Sequence, residues 1–130
     1  MRARIIVMTA VVLLSAFALS SCSTQARAER KGKEAGEQMC KAKDADNADE
    51  AGRHIQRAND KLDDLARFTG RNVRDDIRDL DRNLDQIARG GASNQDINAI
   101  VRSTQEAKAT VSGNAEAAYD GLLEGLANCD

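Results

Sequence analysis

The chain contains no proline and no tryptophan, one tyrosine, two phenylalanines and a single histidine. With so few aromatics a deep ligand pocket is disfavoured, because such sites are walled mostly by apolar and aromatic side chains. Without proline, the punctuation of secondary structure falls to glycine and to polar caps. An excess of one charge is also missing: 19 basic residues stand against 21 acidic ones, a net −2. That balance excludes a strongly basic nucleic-acid binder. At 130 residues, the chain is one domain, or one domain plus a targeting segment, and not a large enzyme or a multidomain receptor.

An apolar run long enough to span a membrane is lacking as well. Ile5 to Leu19 is an uncharged stretch of 15 residues, whereas a spanning helix needs about 20. Behind Arg2 and Arg4 it reads instead as the h-region of a signal peptide. It closes on Leu19-Ser20-Ser21-Cys22, two small residues and then a cysteine. This order of n-region, h-region and closing tetrapeptide resembles the lipobox of bacterial lipoproteins. The resemblance covers residues 1–22. It implies that the Cys22 thiol takes a diacylglycerol, that residues 1–21 are cut away, and that the new amino group is often acylated. No twin arginine is present, so the general secretory route is expected. Ser23 stands where an aspartate would retain many such proteins at the inner membrane. The implied localisation is therefore the extracytoplasmic side of the cell membrane, or the outer membrane in a Gram-negative host.

Residues 22–130 carry only 16 Leu, Ile, Val and Phe among 109 positions, a fraction that suggests disorder when net charge is high. Here net charge is low, and the apolar residues are ordered at helical spacing. Ala48, Ala51, Ile55, Ala58, Leu62 and Leu65 step by three and four, and Val73, Ile77, Leu80, Leu84 and Ile87 do the same. Ile97, Ile100, Thr104, Ala107 and Val111 form a third run, and Ala115, Ala118, Leu122 and Leu126 a fourth. Such steps place one apolar stripe on each helix, and no segment alternates as a half-buried strand does. Asp46, Asn72, Ser93 and Asn94 suit helix starts, while Gly70 and Gly90-Gly91 suit helix stops. Ser112-Gly113-Asn114 reads as a further break. The expected fold is all-α, a small antiparallel bundle of four helices, with three as the alternative if the last break is absent. Residues 22–33, with Arg27, Arg30, Lys31 and Lys33 against Glu29, are expected to form a polar tether, able to lie on an anionic surface, ahead of a bundle domain at 34–130.

With Cys22 lipidated, Cys40 and Cys129 remain. Two thiols left in an exported chain of this size usually pair, and an up-down-up-down layout brings the start of the first helix beside the end of the fourth. Closing so long a loop adds about 4 kcal/mol in the chain-entropy model. The alternative is two free or intermolecular thiols.

The same reading finds no catalytic set. His54 beside Arg53 reads as a surface histidine and not a zinc ligand. Asp44, Asp46, Asp49 and Glu50 do not fit a calcium loop, since Asp49 stands at its glycine and Ile55 at its bidentate glutamate. They suit the positive end of a helix dipole better. The interleaved run from Arg71 to Arg89 reads as a salt-laced solvated face, with Asp75–Arg78, Asp79–Arg82 and Asp85–Arg89 at pairing distances. No cofactor and no metal are expected. The functional expectation is a non-catalytic lipoprotein of the cell envelope, held to the membrane by its lipid and facing an envelope-protein or wall partner. An inhibitory or exclusion lipoprotein acting on uptake or entry machinery is the alternative, with an enzyme third. The chain departs from murein lipoprotein in its glycine-interrupted stripe and in ending on Asp130 where that family has a lysine.

Overall fold

A computed structural model describes residues 24–90 and 93–129. Six helices occur among them: α1 (24–43), α2 (Ala48–Thr69), α3 (Val73–Asp76), α4 (Leu80–Ala88), α5 (Asn94–Lys108) and α6 (Asn114–Ala127), and no strand. The all-α expectation holds.

Local chemistry sets most boundaries. Asn47, and not Asp46, caps α2, its side chain accepting from the Glu50 N–H at 2.8 Å. Asn72 caps α3 by accepting from Arg74 N–H at 3.1 Å. Ser93 and Asp96 form a reciprocal capping box at the start of α5. Gly70 ends α2 in the left-handed region, at φ 67°, where a side chain would cost energy and glycine does not. Gly113, at φ 65°, separates α5 from α6, so the stretch after Ser93 is two helices.

The segment count differs from four for two reasons. First, residues 24–33 are helical and continuous with 34–43, so the expected tether and the boundary at residue 34 are replaced by α1. Ala28, Ala35, Met39 and Ala42 of this helix are buried. Second, the run from Val73 to Ala88 is broken at Ile77–Asp79, with Asp79 in the left-handed region at φ 60°. Aspartate tolerates that conformation better than most residues. The break turns α3 so that Asp76 reaches α6 while Val73, Ile77, Leu80, Leu84 and Ile87 all stay buried. It also separates Asp75 from Arg78: Arg78 lies instead beside Asp79, at 3.6 Å, and Asp79 pairs with Arg82 at 3.3 Å.

Contacts fix the helix directions. Asp64 meets Lys31, Lys61 meets Glu34 and His54 meets Gln38, so α1 and α2 run antiparallel. The start of α6 reaches the end of α2 through Asn114 and the Phe68 carbonyl, and the end of α4 lies against Ala48 at the start of α2. α5 descends from Asn94, beside Lys43, and α6 returns alongside it. The helix α1 therefore runs parallel to α6, with Glu29 at Gly121, Lys33 at Gly125 and Cys40 at Cys129. One end of the molecule, the α1-start end, collects the starts of α1, α3 and α6 and the ends of α2 and α5; the opposite, cysteine-bridge end holds the bridge.

Two kinds of packing share the interior. Leu62 and Leu65 of α2, Leu80, Leu84 and Ile87 of α4, Ile97 and Ile100 of α5 and Leu122 and Leu126 of α6 supply large side chains to one buried cluster. Burying each such group from water contributes about 1.5–3 kcal/mol. The α1–α6 seam has few large side chains on the α1 side. Gly32 and Gly36 face the α6 backbone, and Gly121 and Gly125 face the α1 backbone. A Cβ at Gly36 would stand 2.7 Å from the Leu122 carbonyl oxygen and 2.8 Å from the Leu126 nitrogen, so the helices approach as closely as they do only without it.

Candidate functional site

Cys22 lies outside the described residues. The structure brings the other two cysteines together at the cysteine-bridge end: Cys40 and Cys129 are disulfide-bonded with Cα atoms 5.0 Å apart, across a separation of 89 residues, within the span a disulfide allows. The bridge joins α1 to the residues just after α6, the same two helices that the glycine seam holds along their length. Charged side chains add register on both flanks of α1. Lys31–Asp64 (3.5 Å) and Lys61–Glu34 (2.8 Å) face α2, and Lys33–Glu124 (3.5 Å) faces α6. Glu34 holds the Lys61 ammonium above its usual range. Exposed pairs of this kind contribute little energy each, so they fix register more than stability.

His54, expected at the surface, is mostly covered by α1, with its side chain 16% exposed. Its Nδ1–H donates to Gln38 Oε1 at 2.8 Å, and Nε2 lies 3.9 Å from Glu50. Only the Gln38 contact joins α1 to α2, because Glu50 belongs to α2 itself, one turn before His54. Among the described residues, no group of three His, Cys, Asp or Glu side chains is placed to hold a metal ion. The acidic residues Asp44, Asp46, Asp49 and Glu50 surround the α1–α2 turn and the α2 start.

A second polar cluster sits near the α1-start end. Tyr119 of α6 is fully buried, and its hydroxyl donates to Asp76 of α3 at 2.6 Å. Arg71 Nε donates to the same carboxylate oxygen at 2.7 Å, and its terminal nitrogen to the other oxygen at 3.1 Å. The Arg71 hydrogen bond, with help from Tyr119, holds the Asp76 carboxyl below the usual carboxylate range. Burial, reinforced by Asp76, pushes the Tyr119 phenol well above its ordinary value. With both oxygens engaged, Asp76 is a clamp between α3 and α6 and not a free base. Alongside it, Arg74 donates to Asp81 (2.8 Å), Asn59 (3.0 Å) and Asp63 (3.4 Å), tying α3 to α2 and α4. Burial works against the Arg74 charge, but its carboxylate hydrogen bonds outweigh this and raise its pKa.

Sequence reasoning missed the α1–α6 seam. Its signal was present: Gly32-x-x-x-Gly36 and Gly121-x-x-x-Gly125 each put two glycines one turn apart on a single helix face, the spacing that permits close backbone approach. Large-residue periodicity cannot register such a face. Among the described residues no helix is long and apolar enough to cross a membrane. Compared with known proteins, the chain matches no family model, no curated protein and no solved structure.

Proposed function

We propose that the protein is a lipid-anchored lipoprotein of the cell envelope, held on the extracytoplasmic side by Cys22, with a non-catalytic structural or protein-interaction role. The observation that carries this reading is the order Arg2/Arg4, the uncharged run Ile5–Leu19 and the lipobox-like Leu19-Ser20-Ser21-Cys22. The Cys40–Cys129 pairing supports it, because disulfides persist in oxidising compartments such as the envelope. In the same reading, α2, α3–α4, α5 and α6 act as the four antiparallel legs of a bundle, and α1 is a fifth leg that links them to the anchor. Anchoring raises the effective concentration of the helical domain near an envelope-protein or wall partner without adding contacts.

The test is Cys22→Ala in cells fed labelled fatty acid, followed by cross-linking of intact cells. The variant is expected to lose the label and to escape cleavage before residue 22, and an exported, unlipidated form carrying an ordinary signal peptide is expected to lose the cross-linked partner. Equal labelling of variant and parent would contradict the anchor. An unchanged cross-link from an exported, unlipidated form at equal abundance would contradict the role of display.

A further inference from the structure

The α1-start end carries a patch suited to a lipid surface. Lys31 pairs with Asp64 across α1 and α2, so one turn further along, the antiparallel geometry sets Arg27 level with Phe68. Arg27, Arg30 and Arg67 are exposed, and none makes an ion pair with another described residue. Phe68 is only half-buried and lines, with Arg67, Lys31 and Asp64, a shallow depression between the two helices. The opposite end is of mixed charge, with Asp44, Asp46, Asp49 and Asp96 around the turns there beside Lys41, Lys43 and Arg89. On the α1–α6 flank of the α1-start end, Glu29, Glu116 and Asp120 gather instead, so that end is basic on the α1–α2 side alone.

The geometry points to this patch, centred on Arg27, Arg30, Arg67 and Phe68, as a docking face for an anionic phospholipid surface, with the cysteine-bridge end directed away. The inference rests on the lipid-anchor reading, which places the membrane at residue 22. Thr24, already in α1, follows Cys22 by two positions, so at most about 7 Å of chain separates the anchoring Cα from the helix. A lipid there holds the α1-start end, and not the cysteine-bridge end, against the headgroups. Three unpaired arginines complement a negative surface, and a half-exposed aromatic suits the boundary between headgroup and acyl chain. The acidic flank is repelled, which tilts the molecule onto its α1–α2 side.

The absence of tryptophan makes the test clean. Full-length protein purified from membranes, carrying Phe68→Trp or Asp46→Trp, is placed in vesicles of brominated phosphatidylcholine with or without phosphatidylglycerol. Phe68→Trp emission is expected to be quenched in the anionic vesicles and Asp46→Trp emission to stay unquenched. Each of Arg27→Gln, Arg30→Gln and Arg67→Gln should weaken docking about five-fold, and salt should weaken it as well. Circular dichroism checks that every variant remains helical. Equal quenching at both tryptophans, none at Phe68→Trp, or quenching indifferent to the three arginines and to phosphatidylglycerol would overturn the proposal. The mass of the N-terminal peptide, read on the same preparation, separates this outcome from failure of the anchor: an unmodified Cys22 refutes lipidation, while the quenching still decides docking.

Discussion

The two halves of the interior are built on opposite logic. Among α2, α4, α5 and α6, large aliphatic side chains share one buried cluster, and the helices are held by what they bury. Between α1 and α6, two glycine pairs let the backbones meet, and the helices are held by proximity, flanking ion pairs and a disulfide at one end. The comparison teaches that a helix with one large buried aliphatic-like residue, Met39, can still belong to the folded unit. Its partner must present an equally small surface. A covalent bridge is then placed where burial contributes least.

The largest effect expected from this contrast is on the bridge. Replacing Cys40 and Cys129 together by serine should cost about 4 kcal/mol, read by denaturant unfolding under oxidising conditions. If the seam alone held α1, parent and variant would unfold alike. In the aliphatic half, Leu80→Ala or Leu84→Ala should cost about 3 kcal/mol each, within the usual 2–5 range for a buried leucine, with a matching fall in Tm. The seam should answer to added volume rather than to its removal. Gly36→Ala is expected to lose about 1–3 kcal/mol through overpacking. Gly52→Ala on the open side of α2, where a Cβ meets nothing within 4 Å, should gain up to about 1 kcal/mol from helix propensity. Opposite signs at two helical glycines are the sharpest form of the comparison, and equal signs would break it.

The smallest effect concerns pH. Asp76 has its folded pKa depressed by Arg71 and Tyr119. The stability this gives is therefore present above the unfolded carboxylate value, about 3.9, and lost as pH falls through the folded value. Below the ordinary carboxylate range the parent should lose stability more steeply than Asp76→Asn, as followed by thermal melts at stepped pH.

These same residues show why part of the fold was legible and part was not. Val73, Ile77, Leu80, Leu84 and Ile87 announce a buried helical face in any reading, and all five are buried. The break at Asp79 was not legible, because it answers to Asp76 meeting a tyrosine 43 positions away, which no local propensity records. The helix α1 was hidden for a different reason. Ala28, Gly32, Ala35, Gly36 and Met39 have helical spacing, but alanine and glycine also suit a linker, and only the matching glycines of α6 decide between the two. His54 reads as a surface residue for the same reason, since the part of α1 that covers it, at Gln38, carries no stripe of large apolar residues in the sequence. The cysteine pair was legible from the expected export, the cysteine count and the helix layout, whereas its place across a parallel helix pair was not.

The central claim is that the helical domain begins beside its own lipid anchor, and the mass of the N-terminal peptide of protein extracted from membranes tests it most directly. The account predicts a chain that starts at Cys22 and carries diacylglycerol on that residue. A chain that still carries residues 1–21, or one whose Cys22 bears no lipid, would contradict it.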